Sequence, residues 1–299
     1  DKKIKAGFIY VGPVGDYGFS HAHDLGRKFA EEKLDWLETV YVESVSESDS
    51  DRIIDRLIQQ QKCDVVFTNS FGFMDSTIKA GERYPDKIFM HCSGFKRSDN
   101  VGTYFGDLYQ MYYLNGLMAG ALTKTNKIGY VAAFPIPELI RHIDAYALGI
   151  KAANPEAKVH VKWIYAWYGP DKAREAAESL IAEGCDTLAF TEDTPAVIEV
   201  GQSHTEKGKQ IYTFSHYSAM QPYGEDSVVS GQLMNWGGMY VKILEDIYSG
   251  NWTNEDVWWL AKEGAAILGG NETDPVNPKF VGDLKQAMIQ TQEFGEISA

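Results

Sequence analysis

Long apolar runs are missing from this 299-residue chain, and with them any stretch of the ~18 residues that a membrane-spanning helix needs. A leader with a basic start and an apolar middle is missing too, and a start at Asp1 rather than Met reads as processed or trimmed. Cysteine is scarce. Cys63, Cys92 and Cys185 show no CxxC or zinc spacing, and three thiols cannot all pair, so no disulfide framework is expected. Positive charge is short as well, with 28 Lys+Arg against 42 Asp+Glu and a formal net charge of −14. That balance argues against nucleic acid, whose binding rests on Lys/Arg–phosphate contacts. Three enzyme fingerprints are absent: Gly12, Gly15 and Gly18 are spaced GxxGxxG rather than GxGxxG, and neither a GxxxxGK[ST] nor a GxSxG motif occurs.

What is present belongs to a folded globular chain. Hydrophobic residues make up 44% and charged ones 23%, and 299 residues suit two domains of about 150 each. The stretch from Lys5 to Phe29 sets the pattern: a buried strand, a loop punctuated by Gly12, Gly15 and Gly18, then an amphipathic helix from Phe19. A strand feeding a helix this way opens a βαβ unit, and ligands of open α/β sheets bind outside the carboxyl ends of the strands. The same alternation continues along the chain and predicts parallel α/β layers. It includes a strand over 157–165, a helix over 194–204, a strand over 210–214, two short strands near 256–268 and a last helix from Lys279 to Gln292.

The order repeats once. Lys5-Ala6-Gly7-Phe8-Ile9-Tyr10-Val11 matches the run around Gly129, and the helix ending before Cys63-Asp64 matches the one ending before Cys185-Asp186. Gly7 to Gly129 and Cys63 to Cys185 share one offset, which means a duplicated domain. Two such lobes set their strand-end loops face to face across a cleft. The single strand–helix–strand after residue 227 is too little for a third domain, and reads as a crossing to the first lobe and back. The expected division is residues 1–105 plus 236–258 for the first lobe and 106–235 plus 259–299 for the second.

Three stretches carry a resemblance: Asp16-Tyr17-Gly18-Phe19-Ser20 after the first strand, Asn69-Ser70-Phe71-Gly72-Phe73-Met74-Asp75 after the third, and Trp258-Trp259-Leu260-Ala261-Lys262-Glu263-Gly264. On these the chain resembles the type I periplasmic binding proteins, and among them the basic membrane protein family of nucleoside-binding lipoproteins. The resemblance covers essentially the whole chain. It implies two Rossmann-like α/β lobes joined by a three-crossing hinge, and an exported receptor, periplasmic or at the cell surface, often lipid-tethered. It also implies delivery of a purine-type ligand to an ABC transporter permease, with no catalysis and no cofactor. A monomer is expected. Three departures stand out: Ser20 where the family usually has Asn, Ser215-His216-Tyr217-Ser218 without the usual Gly-Val-Asp carboxylate, and Met234-Asn235-Trp236 in place of a common Lys. Such charged groups tend to serve a ribose, so their absence favours a free base.

Each candidate site residue has a bland reading beside it. Asp16 offers acceptors in the first loop; Phe19 can stack on a heterocycle or staple its helix to the core. Ser70, Phe71 and Gly72 can fix ligand polar atoms or form an ordinary turn. Trp167 and Tyr168 are aromatics at a strand end, or a cover for the lobe's edge. Asp193 can accept from an amine or ring N–H, or cap the next helix. Asn235 presents a donor and an acceptor at a hinge crossing; Trp236 beside it can line the cleft floor or pack, and Lys262 can simply be solvated. Asp107 and Phe105, at another crossing, are weaker candidates. His21-x-His23-Asp24 suggests a metal, but residues two apart on a helix diverge by about 200°, so no metal site is expected. Asn251-Trp252-Thr253 and Asn271-Glu272-Thr273 match a glycosylation pattern and carry no weight in a bacterial-type receptor. The expected ligand therefore stacks between aromatics of the two lobes, with Asp193 and Asn235 reading its edge. The alternatives are a sugar receptor of the same fold and an α/β enzyme acting on a small heterocycle.

Overall fold

A computed structural model describes residues 2–269 and 273–289, which fall into two compact units. The first unit contains Asp1–Asp16, Ser20–Asp107 and Asn235–Ala265; the second contains Tyr17–Phe19, Leu108–Met234 and the chain from Ala266 onward. Apart from the three residues Tyr17–Phe19, the backbone crosses between them after Asp107, Met234 and Ala265.

In the first unit, β1 (Ile4–Tyr10), α1 (Phe19–Lys33), β2 (Leu37–Val42), α2 (Ser50–Gln59), β3 (Val65–Asn69), α3 (Met74–Arg83), β4 (Ile88–Cys92) and β5 (Val101–Gly106) follow in order. In the second, α4 (Tyr109–Leu122), β6 (Lys127–Ala132), α5 (Pro137–Ala153), β7 (Lys158–Trp163), α6 (Pro170–Ala182), β8 (Thr187–Thr191), α7 (Ala196–Glu206), β9 (Tyr212–Tyr217) and β10 (Val228–Met234) do the same. The returning chain adds α8 (Gly237–Ser249) and β11 (Asp256–Trp259) to the first unit, then β12 (Ala266–Leu268) and α9 (Pro278–Ile289) to the second. The sheets run β11-β5-β4-β3-β1-β2 and β12-β10-β9-β8-β6-β7, so the second repeats the first strand for strand. Every pairing is parallel except β10 with β12.

Parallel strands covered on both faces must be apolar throughout, and β3 is buried at all five positions. Helix α2 turns Ile53, Ile54, Leu57 and Ile58 inward, where they join Ile9, Val66 and Phe89 in one cluster. The duplication is visible in the packing. A Cβ on Gly7 would lie 3.0 Å from Leu57 Cδ1, and one on Gly129 3.0 Å from Leu180 Cδ1. Each strand thus gives up a side chain at the point where its helix presses closest.

Three boundaries differ from expectation. β9 runs to Tyr217 instead of stopping at 214, because Ser215 and His216 are fully buried and paired in the ladder rather than looped out. β7 ends at Trp163, leaving Trp167 and Tyr168 in the following loop. α7 starts at Ala196, held off by Pro195 at its N-cap. The two short strands expected near 256–268 are β11 and β12, separated by a 3₁₀ turn over Ala261–Glu263. Of the last helix, positions 290–292 lie outside the described residues, as do Asn271 and Glu272 of the second glycosylation pattern. Among the described residues no helix is long and apolar enough to cross a membrane, and the three cysteines are free and buried.

Candidate ligand-binding site

The loop after β1 is built by its own polar groups. The Asp16 carboxylate accepts the backbone N–H of Ser20 at 3.1 Å and of His21 at 3.0 Å, which caps the amino end of α1. The Ser20 hydroxyl accepts the Gly12 N–H at 3.1 Å, closing the loop on itself. His21 Nδ1 lies 2.9 Å from the Val14 carbonyl. Tyr17, at φ +61°, and Phe19 group with the second unit, where Tyr17 meets Tyr223 and Phe19 meets Tyr217 edge-on at 5.3 Å.

The loop after β3 carries Ser70, Phe71 and Gly72. Ser70 is buried, and its carbonyl accepts a hydrogen bond from His91 Nε2 at 2.6 Å. Burial lowers His91 to about 4, so its ring is neutral and Nδ1 is the bare nitrogen. The Glu47 carboxylate lies over Gly72, where a Cβ would come within 1.9 Å of it. Phe71, half-buried, has its ring 6.4 Å from the exposed Phe95.

Beneath these loops is a buried polar cluster that composition and spacing do not announce. Tyr240, on α8, has its hydroxyl 2.6 Å from His23 Nδ1, accepts from Asn69 Nδ2 at 3.1 Å and lies 3.0 Å from the Tyr104 hydroxyl. Tyr104 donates in turn to Asn69 Oδ1. Trp236, 1% exposed, stacks on His23 at 4.1 Å, so it serves packing within the first unit. The His21-x-His23-Asp24 run is dispersed: His23 turns to Tyr240 and Asp24 accepts from Arg27 Nε at 2.8 Å. No group of three metal-ligating side chains occurs among the described residues. Asn235 is exposed and its Oδ1 accepts the Gly237 N–H at 3.1 Å, which starts α8; Lys262 is exposed on its 3₁₀ turn.

The second unit repeats the scheme. Trp167 is half-buried against Phe134, with ring centroids 5.4 Å apart, while Tyr168 and Tyr165 are exposed beside it. The Trp167 carbonyl accepts the Asp193 N–H at 2.8 Å, tying the loop after β7 to the loop after β8. Asp193 is 2% exposed, and beside it Thr194 Oγ1 accepts the Ala196 N–H at 3.2 Å at the start of α7 and donates to the Glu192 carboxylate. Below, Tyr112 donates to the Phe190 carbonyl at 2.7 Å and has His216 Nδ1 and Thr191 Oγ1 each 2.9 Å from its hydroxyl. Tyr112 and Tyr240 are each the fourth residue of their helix, and Asn69 and Thr191 each end the third strand of their sheet. The internal duplication is the signal that pairs them. Burial lowers His142 and lowers His216 to about 3, so both imidazoles are neutral. Tyr217 donates to Glu138 Oε1 at 3.0 Å.

Both units therefore present flat rings with carboxylates, amides, hydroxyls and neutral imidazoles at the carboxyl ends of parallel strands. Such groups can offer stacking faces and directional hydrogen bonds to a small molecule. An open cleft of about 560 Å³ lined by Lys124, Asn154, Tyr212 and Asp283 lies on the second unit at the opposite edge of its sheet.

Comparison with known proteins places the chain. Residues 3–292 match the family described as ABC transporter substrate-binding protein PnrA-like. A Haloferax volcanii protein, provisionally named an ABC transporter glucose-binding protein, is 37% identical over 97% of this chain and 71% of its own length. A Brucella abortus purine-binding protein is 32% identical over 98% of this chain and 83% of its own. An ABC transporter solute-binding protein of Aeropyrum pernix has the same fold, with a TM-score of 0.82 at 18% identity over 98% of this chain and 89% of its own. The architecture is that of a two-lobed type I periplasmic binding protein, and the relatives bind solutes rather than transform them. The chain belongs to the PnrA-like family of ABC transporter substrate-binding proteins.

Proposed function

We propose that this substrate-binding protein takes a purine-type heterocycle, as free base in preference to nucleoside, and hands it to the permease of an ABC importer outside the cytoplasm. The ligand is held by strand-end loops of both units, with Phe19, Phe71, Trp167 and Tyr168 supplying ring faces and Asp193, Ser70 and Asn235 supplying directional hydrogen bonds. One observation carries the reading: the polar groups buried at the carboxyl ends of the strands in both units are amides, hydroxyls, carboxylates and neutral imidazoles. Such a set matches the mixed donor and acceptor edge of a base, and stacking supplies affinity that does not depend on charge. The purine-binding relative supports it.

A sugar is the second reading, favoured by the relative named for glucose and by the carboxylates Glu192 and Asp193 at one strand end. A thermal-shift panel of adenine, guanine, hypoxanthine, their nucleosides and glucose separates the two. Ligand at 100 times its Kd adds about 2.7 kcal/mol. Free purines are expected to raise Tm more than nucleosides or glucose do. A shift with glucose alone would replace the purine with a sugar, and nucleosides ahead of bases would restore the ribose.

A further inference from the structure

Among the described residues of the second unit, His216 and Ser218 hold polar atoms that the fold itself leaves unused. His216 is the fifth of the six residues of β9 and is fully buried. One side of its ring is anchored, with Nδ1 2.9 Å from the Tyr112 hydroxyl and 3.2 Å from Gln232 Nε2. Gln232 is fixed in turn by Asn115, whose Nδ2 donates to Oε1 at 2.8 Å. The ring therefore cannot swing, and Nε2 points away from these partners. Among the described residues Nε2 has no hydrogen-bond partner, and neither does Ser218 Oγ, two residues on where the chain leaves the strand. Buried polar atoms are seldom left so, because each forfeits its hydration without return. Both lie at the carboxyl edge of a parallel sheet, and the rings of Tyr217 and Phe190 flank the imidazole at 4.2 and 5.7 Å.

We propose that His216 Nε2 and Ser218 Oγ form the specificity contact of the second unit, fixing the polar edge of the bound ligand. Gln232 Nε2 donates to Nδ1, so the neutral imidazole carries its proton on Nε2 and donates there, while the hydroxyl can donate or accept; the pair suits an uncharged ring edge that offers an acceptor. Burial keeps His216 neutral through the physiological range. This inference rests on the reading that the strand-end loops of the second unit hold the ligand; it does not require that the ligand be a purine.

The test is calorimetric titration of adenine, hypoxanthine, guanine, adenosine and glucose into the full chain and into His216→Gln, His216→Phe and Ser218→Ala. The Tm of each unliganded variant is measured alongside. His216→Phe is expected to weaken the preferred ligand at least tenfold and to change the ratio of its affinity to that of the next best. His216→Gln, which supplies a hydrogen-bonding amide in place of the imidazole, recovers part of the loss. Ser218→Ala changes nothing in the network around Tyr112, so it reports even where the His216 variants fold poorly; a loss of three- to tenfold with unchanged Tm is expected. Affinities within twofold of wild type in Ser218→Ala and His216→Gln, or a single common factor across all ligands, would overturn the proposal. Wild-type binding of glucose alone would overturn the purine reading while leaving this contact open to the same comparison on glucose. Binding of none of the five would remove both.

Discussion

Asp16 and Asp193 are each 2% exposed and each sits just past the end of a strand, yet their surroundings differ. Both oxygens of Asp16 accept backbone N–H groups at the start of α1, so its charge is already engaged in capping. Asp193 donates its backbone N–H to the Trp167 carbonyl, which ties it to the aromatic loop after β7. Replacing Asp193 by Ala is expected to weaken ligand by about 1–3 kcal/mol, roughly 5- to 150-fold in Kd, with calorimetry as the readout. An unchanged Kd would take Asp193 out of the site. The buried imidazoles give a pH dependence whose sign is fixed by burial. Folding holds His91 at about 4 and His216 at about 3 against an ordinary value of 6.5, so below pH 6.5 the unfolded chain binds the extra protons. Stability is full above pH 6.5 and falls as the pH drops toward 4. The loss amounts to several kcal/mol and begins above the range in which carboxylates titrate. A Tm flat from pH 7 to 4.5 would contradict it.

At the scale of elements, the duplication does most of the organising. Strands such as β1 and β3 are legible in the sequence because a strand covered on both faces is a continuous apolar run, and α2 is legible because its buried positions recur with helical spacing. The end of β9 is not, because Ser215 and His216 look like loop residues until their partners are known. The same limit applies to the site. Glycine and aromatic loops mark strand ends plainly, whereas the Tyr240–His23–Asn69 and Tyr112–His216–Thr191 clusters join residues far apart in the chain. Spacing alone does not show that Asp16 is a cap or that Trp236 packs on His23. The crossing of α4 and α5 is a further feature that only packing reveals: a Cβ on Gly149 would come within 2.1 Å of the Tyr113 carbonyl oxygen. Gly149→Ala must separate the two helices, and a loss of ~3 kcal/mol in chemical unfolding is expected. A variant as stable as wild type would show that the helices part freely.

At the scale of the whole molecule, the chain is a substrate-binding protein with two like units, linked by three passages of the backbone. A ligand that gains contacts in one arrangement of a protein favours that arrangement. The central claim is the nature of that ligand, and the direct measurement is the Kd of adenine, adenosine and glucose for the full chain by titration calorimetry. Adenine is expected to bind at about 1 μM or tighter, equivalent to ~8 kcal/mol or more, with adenosine weaker and glucose not detectable. Adenosine binding tenfold tighter than adenine, or heat from glucose alone, would contradict the account.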